Sequence, residues 1–222
     1  MPIVEDHVNK DLLFVGTEFG LFFTIDGGKQ WVPLRGGVPT IAFRDLAIQR
    51  RESDLVGATF GRGFFILDDY TPLRHLTPET LAKEGVLFPP RKAALYNERT
   101  YVRAAGNAIT PNPPFGAVFT YYLREDLTGK AGRADAKIVL TVTDAGGKTV
   151  RQTNGPTTAG LHRVSWDLRV GEEGRGPRGR DSRPLVKPGK FKVSLGILVK
   201  DVLTPLGEPQ EFEVVRTASA PE

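Results

Sequence analysis

Apolar and polar positions alternate along most of the chain in short runs separated by turn residues, a pattern that predicts strands rather than helices. Two stretches carry the same pattern. Leu13-Phe14-Val15-Gly16-Thr17 leads into Gly20-Leu21-Phe22-Phe23-Thr24-Ile25-Asp26, and Leu55-Val56-Gly57-Ala58-Thr59 leads into Gly63-Phe64-Phe65-Ile66-Leu67-Asp68. Thr17 matches Thr59, Phe22 matches Phe64, Phe23 matches Phe65 and Asp26 matches Asp68, each pair 42 positions apart. The first unit predicts strands over Ile3–Asp6, Leu12–Glu18, Leu21–Asp26 and Gln30–Leu34. The second predicts them over Phe43–Gln49, Asp54–Thr59, Gly63–Leu67 and Leu73–Leu76. Asn9-Lys10-Asp11, Asp26-Gly27-Gly28 and Arg35-Gly36-Gly37 supply turns. A period of about 40–45 residues with four short strands per unit is the signature of a β-propeller blade.

The pattern then changes. Thr77 to Glu84 reads as one short helix, with Thr77 as N-cap and Pro78 in the first turn. Phe88-Pro89-Pro90-Arg91 interrupts regular structure, and residues 106–116, with Pro111, Pro113 and Pro114, form a second irregular stretch. From Gly116 onward alternation returns over Val118–Leu123, Ala136–Thr143, Thr149–Thr153, His162–Leu168, Gly189–Leu198 and Glu211–Val215, with Asp144-Ala145-Gly146-Gly147-Lys148 as a hairpin turn. Such a series of strands fits an antiparallel sandwich. The expected fold class is all-β, with two terminal propeller blades over 1–76, a connector over 77–95, an immunoglobulin-like antiparallel β-sandwich over 96–217 and a tail over 218–222. Gly171 to Arg183, rich in Gly and Arg, is expected as a solvated surface loop.

Composition supports this picture and narrows the chemistry. Gly 25 and Pro 17 are spread along the chain, as many turns require, and Cys 0 excludes disulfides and thiolate zinc sites. The net charge of +4 is a mild excess, and the basic residues form no stripe interleaved with aromatics, so no nucleic-acid partner is expected. No apolar run is long enough to span a bilayer. The start, Met1-Pro2-Ile3-Val4-Glu5-Asp6, has no signal-peptide pattern and reads as the middle of a strand.

Thr24-Ile25-Asp26-Gly27-Gly28-Lys29-Gln30-Trp31 is similar to the Asp-box, Ser/Thr-x-Asp-x-Gly-x-Thr-Trp. In such a turn the Asp carboxylate accepts backbone N–H groups, the glycine takes a positive φ and the Trp ring covers the turn. Thr24, Asp26, Gly28 and Trp31 are therefore structural candidates. Gln30 stands where the motif has Thr, and Asp68-Asp69-Tyr70 reads as a decayed copy without the glycine and the Trp. An Asp occupied by backbone donors has a lowered pKa and suits neither a general acid nor a general base.

A longer match runs through Gly16-Thr17-Glu18-Phe19-Gly20-Leu21-Phe22, Arg44-Asp45-Leu46-Ala47-Ile48 and Gly61 to Asp69. It continues at Leu87-Phe88-Pro89-Pro90, Gly160 to Arg169 and Pro188-Gly189-Lys190-Phe191-Lys192-Val193. Over most of its length the chain resembles the bacterial Asp-box propeller proteins called sortilin-like, or sialidase-like "glycosyl hydrolase", proteins. The resemblance implies a C-terminal fragment of a longer, periplasmic or secreted parent. Its expected partners are the missing upstream blades, or further copies of itself, and a protein, peptide or glycan ligand. The hydrolase name rests on fold. Two blades are fewer than the four to eight a closed propeller needs, so a truncated or split chain is expected.

Chemistry is sparse. Glu18, Arg44, Asp45 and Arg62 begin or follow strands and are the candidate ligand-facing residues, with salt bridges between blades and turn capping as the alternative. Arg62, between Gly61 and Gly63, has the freest guanidinium. Two-carboxylate glycoside hydrolysis needs an opposed acid pair, and nothing in the sequence opposes any two of Glu18, Asp45 and Asp68. His7, His75 and His162 have no metal-ligand spacing, the serines lack a nucleophile-elbow context, and Trp31 and Trp166 read as core. No catalytic residue, metal or cofactor is expected. The leading functional reading is a non-catalytic binding or scaffold end. The alternative is the C-terminal part of a secreted sialidase-like glycoside hydrolase whose catalytic residues lie upstream.

Overall fold

The repeated pattern folds into two antiparallel sheets. The computed structural model describes residues 1–96, 113–128, 135–171 and 183–217. The chain is all-β, in several antiparallel sheets, and divides into two units, Met1–Thr80 and Leu81–Glu222. Among the described residues no helix is long and apolar enough to cross a membrane. The expected tail over 218–222, residues 172–182 of the Gly/Arg loop and residues 106–112 of the irregular stretch lie outside the described residues.

In the first unit β1 (Ile3–Glu5), β2 (Leu13–Thr17), β3 (Gly20–Thr24) and β4 (Val32–Pro33) form one meander, and β5 (Phe43–Gln49), β6 (Asp54–Thr59) and β7 (Phe64–Leu67) form the other. Alternate residues face the core: Phe14, Leu21 and Phe23 from the first sheet, Phe43, Leu46 and Leu55 from the second. β4 is shorter than the expected Gln30–Leu34. Pro33 has no N–H to continue the ladder, although Leu34 N still donates to Leu21 O (2.8 Å).

The fourth strand expected at Leu73–Leu76 is not formed. Thr71–His75 is a 3-10 helix instead. Asp69, held at φ 46°, accepts the Thr71 N–H (3.2 Å) and hydroxyl (2.6 Å) on Oδ1, and Pro72 fits the first turn, where no amide partner is needed. Leu73 and Leu76, three residues apart, are both buried, because a 3-10 helix brings i and i+3 to one side. The second sheet therefore has three strands.

Phe43 of β5 packs on two glycines, Gly16 of the first sheet and Gly57 of its own sheet. A Cβ on Gly16 would lie 2.7 Å from Phe43 Cβ, and one on Gly57 would lie 2.6 Å from Phe43 Cε1. Gly57→Ala is expected to destabilise the first unit by about 1–3 kcal/mol, since the Phe43 ring has to leave its packed position. A shift in the urea midpoint, with the slope unchanged, would measure it.

Between and after these sheets, α1 (Pro78–Ala82) starts where expected, with Thr80 N donating to Thr77 Oγ1 (3.2 Å) and Thr77 N to Thr80 Oγ1 (2.7 Å). The stretch expected as a plain connector, 77–95, also contributes β8 (Gly85–Leu87) and β9 (Ala93–Leu95) to sheets of the second unit. Each is three residues long, too short to show periodicity, and is stabilised by pairing with a distant strand.

In the second unit β10 (Ala117–Leu123) pairs with β8 and with β13 (Gly160–Trp166). A larger sheet runs β12 (Thr149–Gly155), β11 (Lys137–Asp144), β14 (Gly189–Val199), β16 (Gln210–Arg216), β9, with β15 (Val202–Pro205) also on β14. Among the described residues every pairing in this unit is antiparallel except β16 with β9. The two sheets share one apolar core. Phe119, Tyr121 and Trp166 from the smaller meet Leu140, Val193 and Phe212 from the larger, with the Phe119 and Phe212 rings 5.3 Å apart. The β11–β12 turn is closed by Asp144 Oδ1, which accepts the N–H groups of Gly146 and Lys148, both at 3.0 Å.

Candidate functional site

Two matched turns project from one end of the first unit. In the β2–β3 turn the Thr17 hydroxyl donates to Gly20 O (3.0 Å) and accepts from Phe19 N (3.0 Å). In the β6–β7 turn the Thr59 hydroxyl and backbone N–H both donate to Gly63 O, at 2.8 and 2.9 Å. The repeated threonine thus closes each turn, and each tip carries an aromatic ring in solvent: Phe19 is 75% exposed and Phe60 69%. The turns are neighbours because β5 joins them. Gly16 of β2 lies against Phe43, Phe43 pairs with Thr59, and Phe60 N donates to Ala42 O (2.9 Å).

Charged groups surround the tips. The register shift between Phe43 and Asp45 marks a bulge, and the guanidinium of Arg44 sits over the Phe60 ring, 5.2 Å from its centroid. Such a contact contributes about 0.5–1 kcal/mol at an exposed site. Arg62 is exposed between Gly61 (φ 81°) and Gly63 (φ 71°). Glu18 is exposed beside Phe19, and Asp45, also exposed, accepts the Leu46 N–H on Oδ1 (2.9 Å). Among the described residues none of these four side chains forms an ion pair. Below the first tip lies a groove of about 460 Å³, walled by Phe19, Leu21 and Phe22 on one side and by Leu34, Arg35 and Pro39 on the other.

The Asp26 turn lies at the other end of β3. Asp26 Oδ1 accepts the Thr24 hydroxyl (2.6 Å) and the N–H groups of Lys29 and Gln30 (both 3.0 Å), while Thr24 Oγ1 accepts Gly28 N (3.1 Å). The Thr24 hydroxyl and then the Gln30 amide hold the Asp26 carboxyl below its usual range. Trp31, read as core, is 38% exposed. It directly precedes β4, a two-residue edge strand, and its ring edge lies near Gly28. Trp166 is core, at 1% exposure.

A buried polar cluster has no counterpart in the sequence reading. Asp6 Oδ1 accepts the Tyr70 hydroxyl (2.6 Å) and Arg74 Nη2 (2.7 Å); its Oδ2 accepts Arg74 Nε (2.8 Å) and Asn9 N (2.8 Å). Arg74 Nη2 also donates to Ser53 Oγ (3.1 Å). Burial alone would raise the Asp6 pKa, but the Arg74 and Tyr70 hydrogen bonds bring it down to about 2. Burial and then the Asp6 carboxylate push the Tyr70 phenol up. Both oxygens of Asp6 are occupied, so the cluster ties the β1–β2 turn to the 3-10 helix and has no lone pair left for chemistry. Its members lie 64 and 68 positions apart, a separation that no local spacing rule reads.

Of the histidines, His7 Nδ1 lies 3.6 Å from Asp6 Oδ1 and His162 Nε2 lies 2.6 Å from Thr158 O. Among the described residues no group of three or more His, Asp or Glu is placed to hold a metal ion. No protein-family model and no curated protein matches this chain.

Proposed function

We infer that the chain is the non-catalytic binding end of a sortilin-like Asp-box propeller protein, in a periplasmic or secreted parent. In this reading its first unit is two terminal blades, and its second an immunoglobulin-like sandwich. It holds a protein, peptide or glycan ligand at the end where Phe19 and Phe60 project. The observation that carries the reading is the pair of solvent-exposed aromatic tips, with Arg44 stacked on Phe60 and Arg62 beside it. Exposed aromatics and arginines are the groups that dominate recognition surfaces. The adjoining groove is lined by one cation, Arg35, and by no carboxylate, which suits retention of a ligand over two-carboxylate hydrolysis.

The test is retention of the full chain on immobilised glycan and peptide arrays, with fluorogenic glycosides assayed in parallel. Retention without turnover is expected, and Phe19→Ala or Arg44→Ala should weaken it by about ten- to thirtyfold, the usual cost of an aromatic or Arg anchor. Turnover by the chain itself, or retention indifferent to both substitutions, would overturn the reading.

A further inference from the structure

The larger sheet of the second unit carries a cavity on the face turned away from its core. Ile138 and Leu140 of β11 point into the core, so Val139 and Thr141 point outward. Val139 pairs with Asn154 and Thr141 with Gln152 on β12, and Val139 pairs with Gly196 on β14. Partners across a ladder share a face, so both amide side chains stand on the outward face beside Val139. On the other side β15 folds back along β14, with Leu203 opposite Leu198. The Leu203 side chain leans over Gly196, where a Cβ would lie 2.8 Å from Leu203 Cδ1. The result is a cavity of about 640 Å³, with Val139 as its floor, Leu198 and Leu203 on one side and Gln152 and Asn154 on the other. Val139 faces outward yet is only 8% exposed, as a floor residue should be.

The polar groups offered there are mostly neutral. Gln152 Nε2 donates to Thr141 Oγ1 (3.3 Å), which fixes the amide and leaves its carbonyl oxygen to accept. Asn154 is exposed, and its side-chain amide has no hydrogen bond among the described residues. Two positions along one strand set these amides about 7 Å apart. Of the described residues that line the cavity, Arg151 alone is charged; it is buried, and its Nη1 donates to Gly171 O (2.6 Å). A cation would therefore meet no carboxylate, and an anion would compete with Gly171 O for the guanidinium. A wholly apolar ligand would strip water from both amides and return no hydrogen bond. A sugar meets both demands. Its hydroxyls donate and accept, as side-chain amides do, and its C–H face packs on Val139, Leu198 and Leu203. The volume lies in the range of small-ligand sites, about 300–1,000 Å³.

We propose that this cavity binds a neutral glycan unit of one or two sugars through Gln152 and Asn154. The site lies within the second unit and does not rest on ligand binding at Phe19 and Phe60.

The experiment titrates the isotope-labelled full chain with maltose, cellobiose and chitobiose and follows backbone and side-chain amide resonances. At least one of the three should bind with a Kd of about 1 mM, the affinity of a ligand held by few contacts, and the Gln152 and Asn154 side-chain signals should move most. Asn154→Leu and Gln152→Leu, which keep the size and remove the amide, should each weaken binding about two- to tenfold. Phe19→Ala should leave it unchanged, and circular dichroism would confirm that each variant is folded. No binding of any of the three sugars, binding indifferent to both leucine substitutions, or binding lost in Phe19→Ala would overturn the proposal.

Discussion

Replacing Trp166 with alanine is expected to destabilise the second unit by about 3–5 kcal/mol, the range for truncating a fully buried large aromatic. The ring meets Phe191 and Phe212 edge-on, with centroids 5.8 and 6.3 Å away, and its Nε1 donates to Arg169 O (2.9 Å). The substitution therefore leaves a cavity between the two sheets and takes the indole donor from a carbonyl. Both losses act together, because the ring that fills the space also makes the hydrogen bond. Trp166→Phe keeps most of the volume and loses the donor, so it should cost less. Such a loss is a large share of the about 5–15 kcal/mol by which domains are stable. Urea unfolding followed by circular dichroism would measure it. A midpoint unmoved by Trp166→Ala would remove the ring from the core.

The second large effect belongs to Asp6. Asp6→Ala strands a largely buried guanidinium and a buried phenol, and breaking such a pair from one side costs about 3–5 kcal/mol. The same carboxylate makes the first unit sensitive to acid. Its pKa falls from the ordinary 3.8 to about 2 on folding, so the folded state binds the proton more weakly than the unfolded chain. The resulting stability, about 2 kcal/mol, is fully present above the unfolded pKa and is lost as pH falls from there through the folded value. Asp6→Asn should flatten the dependence of stability between about pH 4 and pH 2. A variant with the wild-type acid profile would show that Asp6 is not the titrating group.

The propensity of the chain for strands, and the 42-residue repeat, are legible in the residues because both are local. Phe43–Gln49 and Asp54–Thr59 form with the bounds that alternation predicts, since each has enough residues to show the period and is closed by turn residues. Short elements escape this logic. Gly85–Leu87 and Ala93–Leu95 carry three residues each, and only pairing with β10 and β16 makes them strands. Leu73 and Leu76 mislead for the opposite reason. As apolar residues closing the repeat they read as a fourth strand, and the 3-10 turn is set by Asp69, Pro72 and the burial of Tyr70.

For the candidate site, Glu18, Arg44, Asp45 and Arg62 are identifiable as residues that begin or follow strands, and the Asp26 turn is legible through its similarity to a known turn motif, since its hydrogen bonds span four residues or fewer. What the sequence determined by itself is therefore the alternation, the repeat and the turns, all set by interactions between near neighbours. Only the tertiary structure decided that Phe19 and Phe60 are both exposed with Arg44 on the Phe60 ring, that Trp31 stays partly in solvent, and that Asp6 is buried against Tyr70 and Arg74. Those outcomes depend on which sheet packs on which, and the contacts that settle them join residues tens of positions apart, where the alternation of a single strand carries no information.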